Sequence, residues 1–328
     1  MKRMAAYGIL LLCLFLFPWV PIGAYQMHLL ILAAIFSVMT LSLNLITGYV
    51  GELSLGHAAF FGIGAFTSAL LSLRGNFSFW LSLPAAGIMA GLFGLGIGYV
   101  TLRLRGAYFV IVTLAFAEII ELVDINWVSL TNGPMGLTDI PLPQIFVPRL
   151  GLIIFSSKLH FFYLSLVFLI LVIYACYRLV NSRIGRAWIS IRENEPLAQS
   201  VGVSAFKYAL LAFVIGSVFT GMAGSIYAHY MSFIGPEVFG FSLTIDMLIM
   251  LITGGTGTIS GPVIGALIFT ALPEYLRVAQ LYRLSIFGII LILAVMFFPQ
   301  GIVPVSGQLL TYIRERSKSR WLSLKHVH

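Results

Sequence analysis

The chain has 328 residues, 60% of them hydrophobic and only 9% charged, with a mean hydropathy of +1.02. Soluble domains carry roughly 25% charged residues, so this composition excludes a soluble globular protein and specifies a polytopic membrane protein. The net charge of +8 fits Lys and Arg clustered at cytoplasmic helix ends under the positive-inside rule, and is not read as a nucleic-acid footprint.

A helix needs about 20 apolar residues to cross a hydrocarbon core about 30 Å thick. Runs of that kind lie at 5–24, 27–48, 57–73, 79–102, 107–127, 160–180, 208–230, 238–254, 262–276 and 284–304. A transmembrane barrel would show alternating segments of about ten residues instead. The fold class is therefore all-α, a membrane helical bundle of about 8–10 spans. The short eighth and ninth runs are candidates for broken or re-entrant elements. The whole of 1–328 reads as a single transmembrane domain.

The first run has a basic start like a signal peptide, but Pro18 and Pro21 and the poor cleavage site Ile22-Gly23-Ala24 favour a retained anchor. Cys13 and Cys176 each sit in an apolar run with no second ligand at metal spacing, so neither a disulfide nor a metal site is expected. In the second run Ser37, Thr40, Asn44 and Thr47 form one polar stripe, ending at Gly48-Tyr-Val-Gly51-Glu-Leu-Ser54. The same G-x-x-G-x-x-S pattern recurs at Gly254-Gly255-Thr-Gly257-Thr-Ile-Ser260, after Ser242, Asp246 and Thr253, which fall within about 40° of one another on a helical wheel.

Glycines at such spacing permit close helix approach and unwound backbone where a cavity satisfies the freed groups. The two breaks are therefore expected to flank a common pathway, and Glu52, His57, Glu118, Glu121, His229 and Asp246 are the candidate ionisable groups within the spans. The competing reading is that the stripes only join helices by hydrogen bonds. Glu118, Glu121 and Asp124, stepping by three, either line a water-filled mouth or mark a helix end, and His229 is expected at the interface.

Two polar interruptions stand out. Residues 128–159 are the long external loop, turned by the glycines and prolines of TNGPMGLTDIPLP, and a candidate surface for an external partner. Residues 181–207 are expected inside, as a helix over Arg186–Arg192 and a second starting at Leu197, with Pro196 at its first position. Ala187, Ile189, Ile191, Leu197, Ala198 and Val201 make this segment too apolar for a solvated connector. There is no G-x-x-x-x-G-K-[ST], nor any nucleophile, metal or cofactor motif, so no enzyme activity and no cofactor of its own is expected.

The run GRAWISIRENEPLAQSVGVSAFKYALLAFVIGSVFTGMAGSIYAHYMSFIGPEVF (185–239) resembles the coupling-loop region of LivM-type permeases of branched-chain amino acid ABC transporters. LNLITGYVGELSLGHAAFFGIGAFTSALL (43–71), TNGPMGLTDIP (131–141) and MLIMLITGGTGTISGPVIGALIFTALPEYLR (247–277) resemble the same family in the same order. The resemblance implies an importer of a bacterial or archaeal cytoplasmic (inner) membrane. Its parts would be this multi-pass subunit, a LivH-type second permease, two cytoplasmic ATPases that use the ATP, and an extracytoplasmic binding protein. Leucine, isoleucine and valine are the implied substrates; urea and short-chain amide importers share these signatures.

The resemblance also implies that Gly185, Arg186, Arg192, Glu193, Asn194, Glu195, Ala198 and Gly202 form the element that couples to the ATPase, apolar residues anchoring and charges orienting it. Gly48, Gly51, Ser54, His57, Gly254, Gly255, Gly257 and Ser260 match the glycine-rich elements assigned to the pathway, with Asn44, Thr47, Glu52, Asp246 and Thr253 beside them. The rival readings are an ion-coupled secondary transporter using Glu52 or Asp246, and a scaffold subunit with no pathway of its own.

Threading the runs with the N-terminus inside places Lys2, Arg3, Arg103, Arg105, Arg178, Arg183, Arg186, Arg192, Lys207, Arg314, Arg316, Lys318, Arg320 and Lys325 in the cytoplasm. Only Arg74, Arg149, Lys158, Arg277 and Arg283 fall outside, so both termini are expected to be cytoplasmic. Single cysteines at Ser182 and Ser319 are expected to resist an impermeant thiol reagent in intact cells while one at Ser129 reacts. Labelling of Ser182 from outside would invert the topology.

Overall fold

The computed structural model describes residues 23–104, 106–147 and 151–275, with four further positions at 288, 292, 296 and 301. Apart from those positions and residues 23–24, the first and tenth apolar runs lie outside the described residues, as do both basic ends. The described chain is almost wholly helical, as its composition requires. Helix α1 (Ala24–Asn44) continues as a π-helix over Leu45–Val50. It is followed by α2 (His57–Arg74), α3 (Phe79–Thr101) and α4 (Ala107–Asn126).

A short helix α5 (Val128–Thr131) and the strands β1 (Leu137–Thr138), β2 (Gln144–Val147) and β3 (Gly151–Ile154) lie in the long loop after α4, with β2 and β3 as a hairpin. Then come α6 (Lys158–Val180), the paired short helices α7 (Arg183–Glu193) and α8 (Glu195–Ser200), and the long α9 (Ala205–Met231). Strand β4 (Phe233–Ile234) pairs antiparallel with β1, Leu137 opposite Ile234. The helices α10 (Phe241–Gly254) and α11 (Ser260–Tyr275) close the described part.

Four described helical stretches are long and apolar enough to cross a membrane: Ala24–Val50, Phe79–Thr101, Lys158–Val180 and Ala205–Met231. Helix α2 is 18 residues long, and α4, at 20 residues, carries three carboxylates. With 14 and 16 residues, α10 and α11 are each shorter than a crossing helix, as expected for a broken pair. They pack on each other and on α1.

Helix α9 is the axis of the bundle, packed against α1, α2 and α3. Lipid tails give helices no hydrophobic reason to associate, so the contacts depend on close backbone approach. In α3, Gly87, Gly91, Gly94 and Gly98 form a stripe facing Met222, Val218, Ser217 and Phe213 of α9. The opposite side of α3 exposes Leu81, Ile88, Leu92 and Leu95, an apolar face suited to lipid. On the other side of α9, Gly224 lies against the Phe61 carbonyl and the Ala65 nitrogen of α2.

Adding one methyl at that contact forces two helices apart, an overpacking that costs about 1–3 kcal/mol. Gly224→Ala is therefore expected to lower the melting temperature of the detergent-purified chain. Gly96→Ala, where a Cβ meets nothing within 4 Å, gains about 1 kcal/mol of helix propensity and is expected to leave the melting temperature unchanged or raised. Equal behaviour of the two variants would contradict close α2–α9 packing.

Candidate functional site

The two glycine-rich breaks meet. Beyond Val50 the chain leaves the helix at Gly51, which has a left-handed φ of 94°, and the second break turns at Gly255 (φ 123°) and Gly257 (φ 70°). Unwound backbone inside a membrane needs partners from the protein itself. Asn44 supplies two: its Nδ2 donates to the Thr258 carbonyl at 2.7 Å, and its Oδ1 accepts from the Gly257 N–H at 2.9 Å. Gly48 has to be glycine here, because a Cβ would lie 2.6 Å from the Gly257 nitrogen.

A third partner comes from the polar segment. The Arg192 guanidinium donates from Nη1 to the Gly48 carbonyl, one of those freed at the helix end. Its stem runs alongside Gly51, where a Cβ would sit 3.2 Å from Arg192 Cγ, and its head lies against Gly257. Arg192, which the resemblance places in the coupling element, is exposed, and its guanidinium also reaches the junction of both breaks.

Around the junction the expected pathway residues separate. Ser37 and Thr40 satisfy themselves on the carbonyls of Ala33 and Phe36, and Thr47 Oγ1 is buried without a partner. Ser54 is buried and pairs with His57 Nδ1 at 3.0 Å, while His57 Nε2 is unpartnered among Phe60, Phe213 and Gly216. Glu52 is half-buried beside Gly51, its N–H bonded to the Ile46 carbonyl. In the second break Thr258, not Ser260, does the capping, accepting from the Gly261 N–H at 3.0 Å.

The wheel positions of Ser242, Asp246 and Thr253 suggest one environment, which the structure divides. Ser242 and Asp246 are exposed, whereas Thr253 is buried and donates to the Ile249 carbonyl. The face is covered at its end because Gly254 presses on the backbone of Gly261 and Gly265 in α11. On α4, Glu118 is exposed, Glu121 half-buried and Asp124 buried with Oδ2 unpartnered.

The polar segment folds as two helices with opposed faces. Ser182 caps α7, and Asn194 caps α8 by accepting from the Leu197 N–H at 3.0 Å. Pro196 therefore stands second in α8 and not first, since the cap is Asn194. Gly185 abuts the Val180 carbonyl, and Gly202 ends α8 with a φ of 89°. Trp188, Ala187, Ile191 and Ala198 are buried, and Trp188 Nε1 donates to the Tyr208 carbonyl at 2.7 Å.

Sequence reasoning overlooks Trp188, although a lone indole amid charges signals an anchor. The outward face carries Ile189, Leu197 and Val201 at 41%, 63% and 74% exposure, with Arg183, Arg186 and Glu193 exposed around them. Glu195 is half-buried and its Oε1 accepts from Gln199.

The opposite end of the bundle has its own polar knot. His229, expected at the interface, is 1% exposed. Its Nδ1 donates to the Pro141 carbonyl at 2.7 Å and its Nε2 accepts from Ser68, which accepts in turn from Ser225. This ties the long loop after α4 to α2 and α9, and Arg74 ties α2 to α5 through the carbonyls of Ser129 and Leu130.

Residues 26–295 match the family described as the permease component of branched-chain amino acid transport systems. The chain belongs to this family. The high-affinity branched-chain amino acid transport system permease LivM of Escherichia coli is 33% identical over 84% of this chain and 69% of its own length. The LivH permease of Salmonella typhimurium is 28% identical over 83% and 92%. A nucleoside ABC transporter permease, NupC of Lactococcus lactis, is 27% identical over 56% and 60%. No solved structure matches the chain. As a member of the permease family the protein is a multi-pass transport subunit.

Truncating the buried indole of Trp188 to Ala is expected to cost about 3–5 kcal/mol, and replacing it by Phe, which loses the N–H and part of the ring but keeps most of the aromatic packing, about 1–2 kcal/mol. In detergent, Trp188→Ala should expose 181–207 to limited proteolysis, and Trp188→Phe should leave it nearly as protected as the unmodified chain. Equal protection in both would mean that the segment is held otherwise.

Proposed function

We propose that this permease is one half of the membrane domain of an ATP-driven importer of branched-chain amino acids. A LivH-type permease is its partner, two cytoplasmic ABC ATPases use the ATP, and an extracytoplasmic binding protein delivers substrate at the His229 end. The 181–207 end then faces the cytoplasm, as the charge distribution favours. This chain binds no nucleotide; it transmits force.

The observation that carries the reading is the two-faced α7–α8 segment. One face is locked to the bundle by Trp188, Ile191 and Ala198, and the other presents Ile189, Leu197 and Val201 to the surroundings. Three bulky apolar side chains ringed by charges, at a helix end and outside the spans, form a hot-spot patch for a soluble partner. The pairing with a second permease is supported by the chain aligning with both LivM and LivH relatives over more than 80% of its length. Leucine, isoleucine and valine are supported as substrates by the names of those relatives.

Substituting the exposed patch tests the docking without disturbing the core. Ile189→Glu combined with Leu197→Glu is expected to leave membrane insertion intact and to weaken ATPase co-purification by more than about 2 kcal/mol, some thirty-fold. Uptake of labelled leucine by the assembled system should be competed by isoleucine and valine and not by urea or a nucleoside. ATPase retention unchanged by both glutamates would overturn the docking face.

A further inference from the structure

We propose that Arg192 is the positioning residue that makes the two glycine breaks follow the coupling helix, so that movement of α7 opens or closes the end of the pathway nearest the ATPases. This deepens the functional reading above and rests on it. Helix α7 packs on α6, α9 and the π-turn, and Arg192 donates a side-chain hydrogen bond across to that turn. The bond ends on a main-chain carbonyl, Gly48, that no longer has an intrahelical donor in regular register.

Gly48 is pressed on Gly257, and Asn44, one helical turn earlier, grips Gly257 and Thr258. A displacement of α7 that drags the guanidinium therefore pulls on α1 and on the α10–α11 link together. Neither break has slack, since a methyl at Gly48 or Gly257 would already collide with the opposing chain or with Arg192. In the proposed gate the junction described here is the made arrangement, and displacement of α7 would break it.

The test uses the complete complex in proteoliposomes, with a single cysteine at Thr256. This position lies in the second break, half-buried, and its maleimide labelling is read with and without ATP and vanadate. In the otherwise unmodified complex the nucleotide is expected to change the labelling rate about ten-fold. In Arg192→Gln the two rates should agree within about two-fold while the ATPases stay bound and hydrolyse ATP. Arg192→Lys, which keeps one donor for the Gly48 carbonyl, should restore most of the response.

A nucleotide response retained in Arg192→Gln overturns the latch. So does loss of the ATPases from that variant, which would place Arg192 in the docking face instead. If the Arg192→Gln chain does not accumulate in the membrane, Asn44→Ser, which leaves Arg192 in place and frees the second break, decides: a retained response overturns the proposal and a lost one supports it. Failure of the docking reading shows separately, as ATPases that never bind the unmodified chain.

Discussion

Main chain that leaves the helix within a bilayer has no water to turn to, so the groups freed at the two glycine breaks must find partners in the protein itself. Asn44 acts as a stand-in strand, giving one hydrogen bond to the second break and taking one from it. Arg192 meets the remaining carbonyl at Gly48. Because the partners belong to α1 and α7 while the groups they serve belong to both breaks, three otherwise separate parts of the chain become one mechanical unit. The π-helix over Leu45–Val50 fits this arrangement, since a widened turn presents carbonyls that a regular helix would have used internally.

The two ends of the bundle are built on different principles. At the end where the two breaks meet, glycines remove side chains so that main chains touch. At the other, side chains converge: Ser225, Ser68 and His229 pass hydrogen bonds in series to the Pro141 carbonyl, and Arg74 holds the loop that follows α4. The first joins chains through main-chain groups, and the second ties the long loop after α4 to α2 and α9 through side chains.

Much of this was legible in the residues. Helix limits follow from apolar runs, so α2, α3, α4 and α9 lie within a few residues of their expected positions. The glycine breaks announced themselves by a repeated heptapeptide. What periodicity could not supply was tertiary partnership: a stripe of Ser, Thr and Asn looks alike whether each residue satisfies its own helix, as Ser37 and Thr40 do, or bridges to another, as Asn44 does. Arg192 entered the coupling element by resemblance alone, and nothing in its spacing announced that its long stem also carries the charge back to a helix C-terminus, where cations are favoured. The wheel grouped Thr253 with Asp246 correctly by angle, but angle says nothing of what covers the end of the helix.

Contact through main chain has an evolutionary consequence. The Arg192 guanidinium reads a carbonyl, and the Asn44 amide reads an N–H and a carbonyl, groups that every residue but proline presents alike. In the proposed latch, transmission depends on the Asn44 and Arg192 side chains and on the glycines at the crossing, while the groups they grip are main chain. Side chains elsewhere along the route would then be free to change with cargo without touching the latch. A nucleoside permease among the relatives of this chain is what such separation of engine from selectivity allows.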